Sequence, residues 1–266
     1  MTSEEERGLL TSRDAGPVDI VNRDGRGGFL LLGDHAGNAV PEQLEGLGLS
    51  KADMMSHIAL DLGVADIGRL LARVLDAPFA AQRYSRLVID CNRALSDDEA
   101  ITPMSDRVII PRNSCLQPAE REARAEAIYR PYHRAIADLL DERSLRNRPT
   151  IPVSLHSFTP TLAGDARPWH IGVLYGGGDE RFATEVLHAL RLEDGLIVGD
   201  NRPYQFDDTD FTVPYHAIAA GLPYVEIELR QDEIATSDQQ AHWATLLAQI
   251  LTSAAQKIGI QSTSAQ

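Results

Sequence analysis

Phe29-Leu30-Leu31-Leu32-Gly33-Asp34-His35-Ala36-Gly37-Asn38 is an apolar run that breaks off abruptly into small and polar residues. Four consecutive apolar side chains fit a strand buried on both faces, and the Gly-rich continuation fits a loop at its carboxyl end. The pattern recurs along the chain. Strands are predicted at Arg86 to Cys91, Ile151 to His156, His170 to Tyr175, Leu196 to Val198 and Pro223 to Arg230.

Helical spacing appears between these runs. Ile67, Leu70, Leu71, Val74 and Leu75 predict a helix from Asp66, stopped by Asp76-Ala77-Pro78. Pro118 to about Arg146 reads as a helix that Pro131 should kink. Asp179 to Leu192 and Asp238 to Ile258 complete the set. Strands alternating with helices give an α/β fold. Residues 94–117 show no period and read as a long loop, a feature often tied to function.

At 266 residues with 43% hydrophobic content, the chain suits one domain with a sizeable core, with flexible tails at about 1–16 and 261–266. A net charge of -14 argues against nucleic acid and anionic lipid as partners. No apolar run approaches the ~20 residues of a membrane helix. The polar start Met1 to Arg13 lacks signal-peptide features, so a cytoplasmic location is expected. Cys91 and Cys115 have neither metal-site spacing nor the look of a disulfide framework.

In open α/β sheets ligands gather outside the carboxyl ends of strands. His35 and His156 follow predicted strands, Asn92-Arg93 follow another, and Glu228 lies near the end of a fourth. Two imidazoles and a carboxylate are a ligand set for a catalytic zinc, with a position left for water. Each histidine has a plainer reading, as a loop or sheet-edge residue satisfied by backbone. Glu226 and Glu228 share one face of their strand, and either a solvated face or a proton shuttle fits. Asp61 reads as a helix cap or as the third ligand. Asp34 suits an orienting carboxylate beside a ligand. Arg83, Arg86, Arg93 and Arg167 are surface ion-pair partners or holders of a substrate carboxylate. His57, His188 and His242 read as surface or packing residues, and His170 and His216 stay open. Gly176-Gly177-Gly178 lacks the Lys-Ser/Thr of a P-loop, and Asp179-Glu180 would repel phosphate, so nucleotide binding is rejected.

Seven segments in order carry a resemblance: Leu32 to Gly37, Ala59 to Gly63, Arg83-Tyr84-Ser85-Arg86 running into Asp90-Cys91-Asn92-Arg93, Leu155-His156-Ser157-Phe158, Arg167-Pro168-Trp169, Gly199 to Tyr204, and Glu228 to Ile234. Over roughly residues 28 to 235 the chain resembles the N-formylglutamate amidohydrolase family, which is similar in fold to zinc carboxypeptidases and aspartoacylases. The resemblance implies three layers, with a mixed, mostly parallel sheet between helices. It implies one zinc ion on His35, His156 and Asp61, with Asp61 replacing the glutamate that carboxypeptidase-like sites carry where Asn38 stands. It further implies Glu228 as base with Arg86 in the catalytic set. Asn92, Arg93, Arg167, Tyr204 and Arg230 would bind a small anionic N-acyl amino acid such as N-formyl-L-glutamate. Two other outcomes fit the same residues: cleavage of another acyl or carboxyl-terminal peptide bond, or a metal-free binding relative. Segment 94–117 is where substrate differences are expected.

Overall fold

The structure, a computed structural model, describes residues 8–260. Its centre is a seven-stranded sheet in the order β1-β3-β2-β6-β11-β9-β10. The strands are β1 (Val18–Val21), β2 (Phe29–Gly33), β3 (Phe79–Gln82), β6 (Ile151–Phe158), β9 (Ile171–Leu174), β10 (Val198–Asp200) and β11 (Val225–Arg230). Two hairpins lie outside it: β4 (Met104–Ser105) with β5 (Val108–Ile109), and β7 (Thr161–Leu162) with β8 (Asp165–Ala166). The helices are α1 (Lys51–Met54), α2 (Val64–Val74), α3 (Pro118–Arg124), α4 (Arg130–Leu145), α5 (Arg181–Leu190) and α6 (Ser237–Lys257). Four neighbouring pairs run parallel, while β1–β3 and β11–β9 run antiparallel. This is the expected three-layer α/β fold with a mixed, mostly parallel sheet.

Alternation sorts side chains between the faces. Phe29, Leu31, Val153, Leu155, Val225 and Ile227 pack under α2, α5 and α6. Leu30, Leu32 and Ala80 face the other way, toward Leu87–Ile89 and the Tyr132-Ile136-Leu139 stripe of α4. That second face stays apolar only on one side of β6. Register sets Glu226 beside Ser154 and Glu228 beside both His156 and Gly172. All four of these polar side chains are buried. Buried polar groups without water need partners or a ligand, so the fold puts an unusual chemical surface there.

Several expectations shift. Arg86 to Cys91 is not a strand; the strand before it is β3. Ser85 Oγ accepts the Leu87 N–H and Asp90 Oδ1 accepts the Asn92 N–H, so side chains replace ladder bonds in this turn. Its apolar residues are core all the same, with Leu87, Val88, Ile89 and Cys91 buried. The bend expected at Pro131 is a π-helical turn, Ala125–Tyr129, and Pro131 opens α4 just after it. Segment 94–117 holds 3-10 turns and the β4–β5 hairpin. Residues 8–16, expected within a flexible tail, are bonded to the body. Asp14 accepts from the Glu42 N–H, and Tyr84 Oη donates to the Ala15 carbonyl. The remaining tail residues, 1–7 and 261–266, lie outside the described residues.

Candidate metal centre and active site

β2 delivers the first histidine. Gly33 has no room for a side chain, since a Cβ would sit 2.9 Å from the Phe79 ring. The chain then turns: Ala36 N–H donates to Gly33 O, and Asp61 N–H donates to His35 O, tying the loop before α2 to the end of β2. Asp61 does not cap α2, whose N-cap is Gly63. Its buried carboxylate instead faces both histidines. His156 Nδ1 is 3.0 Å and His35 Nδ1 3.4 Å from Asp61 Oδ2, which also accepts the Ser157 N–H. The three ligand-type atoms lie within 4.8 Å of one another.

The opposite ring nitrogens are occupied. His35 Nε2 is 2.8 Å from Asp90 Oδ1, and His156 Nε2 is 3.4 Å from Asp34 Oδ2 and 3.1 Å from Ser154 Oγ. Thr212 Oγ1 donates to Asp34 Oδ1, and Arg86 donates to Asp90 Oδ2. Thus each imidazole turns Nδ1 toward Asp61 and Nε2 toward a second carboxylate, the arrangement metal-binding histidines adopt. His35 Nδ1 is buried with no hydrogen-bond partner. A divalent cation fits this donor set and would give that nitrogen a partner that Asp61 Oδ2, at 3.4 Å, does not supply as a hydrogen bond.

Charge follows geometry. Burial would raise the Asp61 carboxyl, but His35 and His156 overcome it and hold it below the usual carboxylate range. Asp90 behaves likewise, with His35 and Arg86 outweighing burial, and Asp34 does so through His156. Glu226 and Glu228 go the other way. Burial pushes each up to about 8, only partly offset by His156. Each also has one carboxylate oxygen buried and unpartnered.

These groups line a cavity of about 440 Å³. Its walls include His35, Asp61, His156, Arg86, Arg93 and Glu228, so the fold does bring these expected residues together. Asn92 and Tyr204 line it too. Asn92 is heavily used, however: Oδ1 accepts from the Phe211 and Thr212 N–H groups, and Nδ2 donates to Asp210. It anchors the 210–212 segment over the site. Arg93 donates to the Asn92 and Thr209 carbonyls through Nη1. Arg167 stands behind Tyr204, donating to its hydroxyl at 2.9 Å and stacking over its ring at 4.8 Å. Arg230 is not on the cavity wall; it spends its donors on Asp232, Glu233 and the carbonyls of residues 167–169. Asn38 points away and donates to Met54 O.

Reading the sequence missed Asp90, Ser154 and Thr212 as site residues. Asp90 opens the Asp90-Cys91-Asn92-Arg93 segment of the family resemblance, the one available signal. Tyr204 owes its position to two glycines: a Cβ on Gly172 or Gly199 would meet the Arg202 carbonyl oxygen at 2.0 or 2.4 Å. His133 and His216 form a separate buried pair, Nδ1 to Nε2 at 3.0 Å, with His133 Nε2 donating to Cys91 O. His170 Nδ1 accepts the Ile197 N–H away from the site.

The profile of the N-formylglutamate amidohydrolase family matches residues 27–235. The chain belongs to that family. It is therefore a hydrolase of amide bonds. A crystal structure of a gene product from Agrobacterium tumefaciens is 35% identical, covering 94% of this chain and 99% of its own, with a TM-score of 0.91. An N-formylglutamate amidohydrolase from Ralstonia eutropha JMP134 shares the fold at 19% identity, 92% and 98% coverage, and a TM-score of 0.67. No curated protein sequence matches the chain. No described helix is long and apolar enough to cross a membrane.

Proposed function

We propose that this amidohydrolase uses one zinc ion to cleave N-formyl-L-glutamate or a related N-acyl amino acid, in the cytoplasm. The observation that carries the reading is the convergence of His35 Nδ1, His156 Nδ1 and Asp61 Oδ2, with both Nε2 atoms held by other carboxylates. Three such ligands would hold zinc with a coordination position to spare. Bound there, zinc would supply Lewis-acid chemistry, lowering the pKa of water and polarising the scissile carbonyl.

The protein's own groups do the rest. Glu228 lies beside His156 in register and presents an unpartnered oxygen to the cavity. Burial raises it to about 8, so it exchanges its proton near neutrality: as the carboxylate it would take a proton from water, and as the acid it would return that proton to the leaving amine. Glu226 shares its shift but lies two residues earlier on the strand, beside Ser154. Arg86, on the wall beside Asp61, would steady a developing oxyanion. Arg93 has donors left to grip the substrate carboxylate. Arg167 acts through Tyr204, and Arg230 fixes the 167–169 segment.

Elemental analysis of the purified, zinc-supplied protein should find one zinc per chain. Glu228→Gln should keep that zinc and lose about 10²-fold or more in turnover of N-formyl-L-glutamate. Protein that takes up no metal refutes the centre, and near-normal turnover in the variant refutes the base.

A further inference from the structure

Alternation along β6 puts Pro152, Ser154, His156 and Phe158 on one face. Ser154 is fully buried there, between Leu32 of β2 and Glu226 of β11 in register. A buried hydroxyl needs hydrogen-bond partners, and Ser154 has two polar side chains within reach. Its Oγ is 3.1 Å from His156 Nε2 and 3.5 Å from Asp34 Oδ2. The direct separation of His156 Nε2 from Asp34 Oδ2 is 3.4 Å, longer than an ordinary N–H···O bond.

The two histidines of the vertex are thus backed differently. Asp90 Oδ1 lies 2.8 Å from His35 Nε2, and an ionised carboxylate only accepts. The His35 ring proton therefore stays on Nε2, and the bare Nδ1 faces the vertex without a partner. His156 Nδ1 is instead 3.0 Å from Asp61 Oδ2, within hydrogen-bond reach. Its Nε2 meets a hydroxyl, which accepts as readily as it donates. For His156 Nδ1 to ligate, the ring proton must sit on Nε2. The hydroxyl must then accept that proton and turn its own hydrogen toward Asp34. Thr212 Oγ1 steadies the other oxygen of Asp34 from 3.0 Å.

On the metal reading of the vertex, we infer that Ser154 is a positioning residue of the centre: its hydroxyl takes the His156 Nε2–H directly, and Asp34 acts on His156 through it. An alanine at this position keeps the shape of the strand and removes one oxygen. It leaves His156 Nε2 facing Asp34 across 3.4 Å, with nothing to hold the ring proton on the side away from the metal. Loss of such a partner costs 10–100-fold in metal affinity. A bond to a neutral hydroxyl is weaker than the charge-assisted one between His35 and Asp90, so the lower end applies here.

Competition against a chromophoric chelator should show Ser154→Ala binding zinc about tenfold more weakly than wild type. Asp34→Asn should lose a similar factor. The double variant should lose little more than either alone, because both substitutions break one chain of contacts. Proton-detected 15N spectra of the zinc-loaded proteins add a readout that altered packing would not give. The His156 Nε2–H signal should move upfield in Ser154→Ala as its hydrogen bond is lost, while the His35 Nε2–H signal stays in place. Zinc affinity within about twofold of wild type in Ser154→Ala, losses that multiply in the double variant, or an unmoved His156 signal overturns the assignment. Wild-type protein that takes up no zinc overturns the metal reading itself, a result distinct from a wrong role for Ser154.

Discussion

Asp90→Asn should weaken zinc binding while leaving every expected ligand in place. Asp90 Oδ1 accepts from His35 Nε2 and from the Asn92 N–H, both at 2.8 Å, and Oδ2 accepts from Arg86 at 2.8 Å. An asparagine of the same size has one acceptor oxygen, not two. If its oxygen stays with His35 and Asn92, its amide donates toward the Arg86 guanidinium, donor against donor. If it turns over, its amide faces His35 Nε2 and favours the tautomer with the proton on Nδ1. That proton would occupy the lone pair the metal needs. Loss of such an orienting carboxylate costs 10–100-fold in metal affinity, or about 1.4–2.7 kcal/mol. Stability should fall as well. A hydrogen bond to a charged group is worth about 1.5–3 kcal/mol, and the lower end applies because the Arg86 side chain is 28% exposed. Competition against a chromophoric chelator measures the affinity, and calorimetry of the metal-free protein measures the stability. Zinc affinity within twofold of wild type, in a folded variant, would show that Asp90 does not set the His35 tautomer.

The His133–His216 pair predicts an acid-sensitive element. Burial lowers both imidazoles to about 4, so the unfolded chain binds protons more readily and the pair's stability is lost as pH falls from about 6.5 toward 4. At ~1.36 kcal/mol per unit the loss is about 3 kcal/mol for one histidine. Glu226 and Glu228, raised to about 8, gain stability over an overlapping range, so wild type must be compared with His216→Gln, in which they are common to both. The stability difference between the two proteins should shrink by up to that amount between pH 7 and 4 in denaturant titrations, and a constant difference refutes the pair's role. Gly172→Ala places a methyl 2.0 Å from the Arg202 carbonyl oxygen and must push the Tyr204 segment away. Turnover should drop about 10²-fold, the scale of a 1 Å misplacement; wild-type turnover would show that Tyr204 need not sit where it does.

Much of the fold was legible because burial writes itself into pattern. The Phe29–Leu32 run and the alternation across Val225–Arg230 leave few alternatives to a doubly buried strand and a two-faced one. The misreading at Arg86–Cys91 arose from the same signal. Its apolar residues are buried, but side-chain bonds from Ser85 and Asp90 hold a turn, and periodicity does not register those bonds. β3, with two alanines and a glutamine, carries little strand propensity of its own. β1 was overlooked as a short, half-buried edge strand. At the site, strand-end position pointed to His35 and His156, and the family motifs then tied them to Asp61 as one ligand set. The carboxylates behind them were harder to see. Asp90 is 55 residues from His35, and Asp34, though adjacent to His35 in sequence, serves His156. Pairings across the fold leave no local trace.

That crossing of partners bears on why the centre is built as it is. Asp34, Asp61, Asp90, Glu226 and Glu228 are buried around two imidazoles and one guanidinium. Carboxylates packed this densely repel, and the protein meets the strain in two ways. The three aspartates are held ionised by the histidines and Arg86, while the two glutamates are pushed toward protonation. Such a split separates a fixed anionic frame from a pair able to exchange protons near neutrality. A cation at the His35–Asp61–His156 vertex would relieve the remaining excess negative charge and leave the frame intact. It would also stabilise the ionised form of Glu228, the form a general base requires. Metal loading and proton transfer would then be coupled through the low-dielectric interior, with no hydrogen bond needed between the vertex and the glutamate. If that coupling operates, the alkaline shift of Glu228 should be larger in metal-free protein than in the zinc form. Carboxyl titration of Glu228 by NMR in the two forms reads the difference directly, and identical titration curves would refute the coupling.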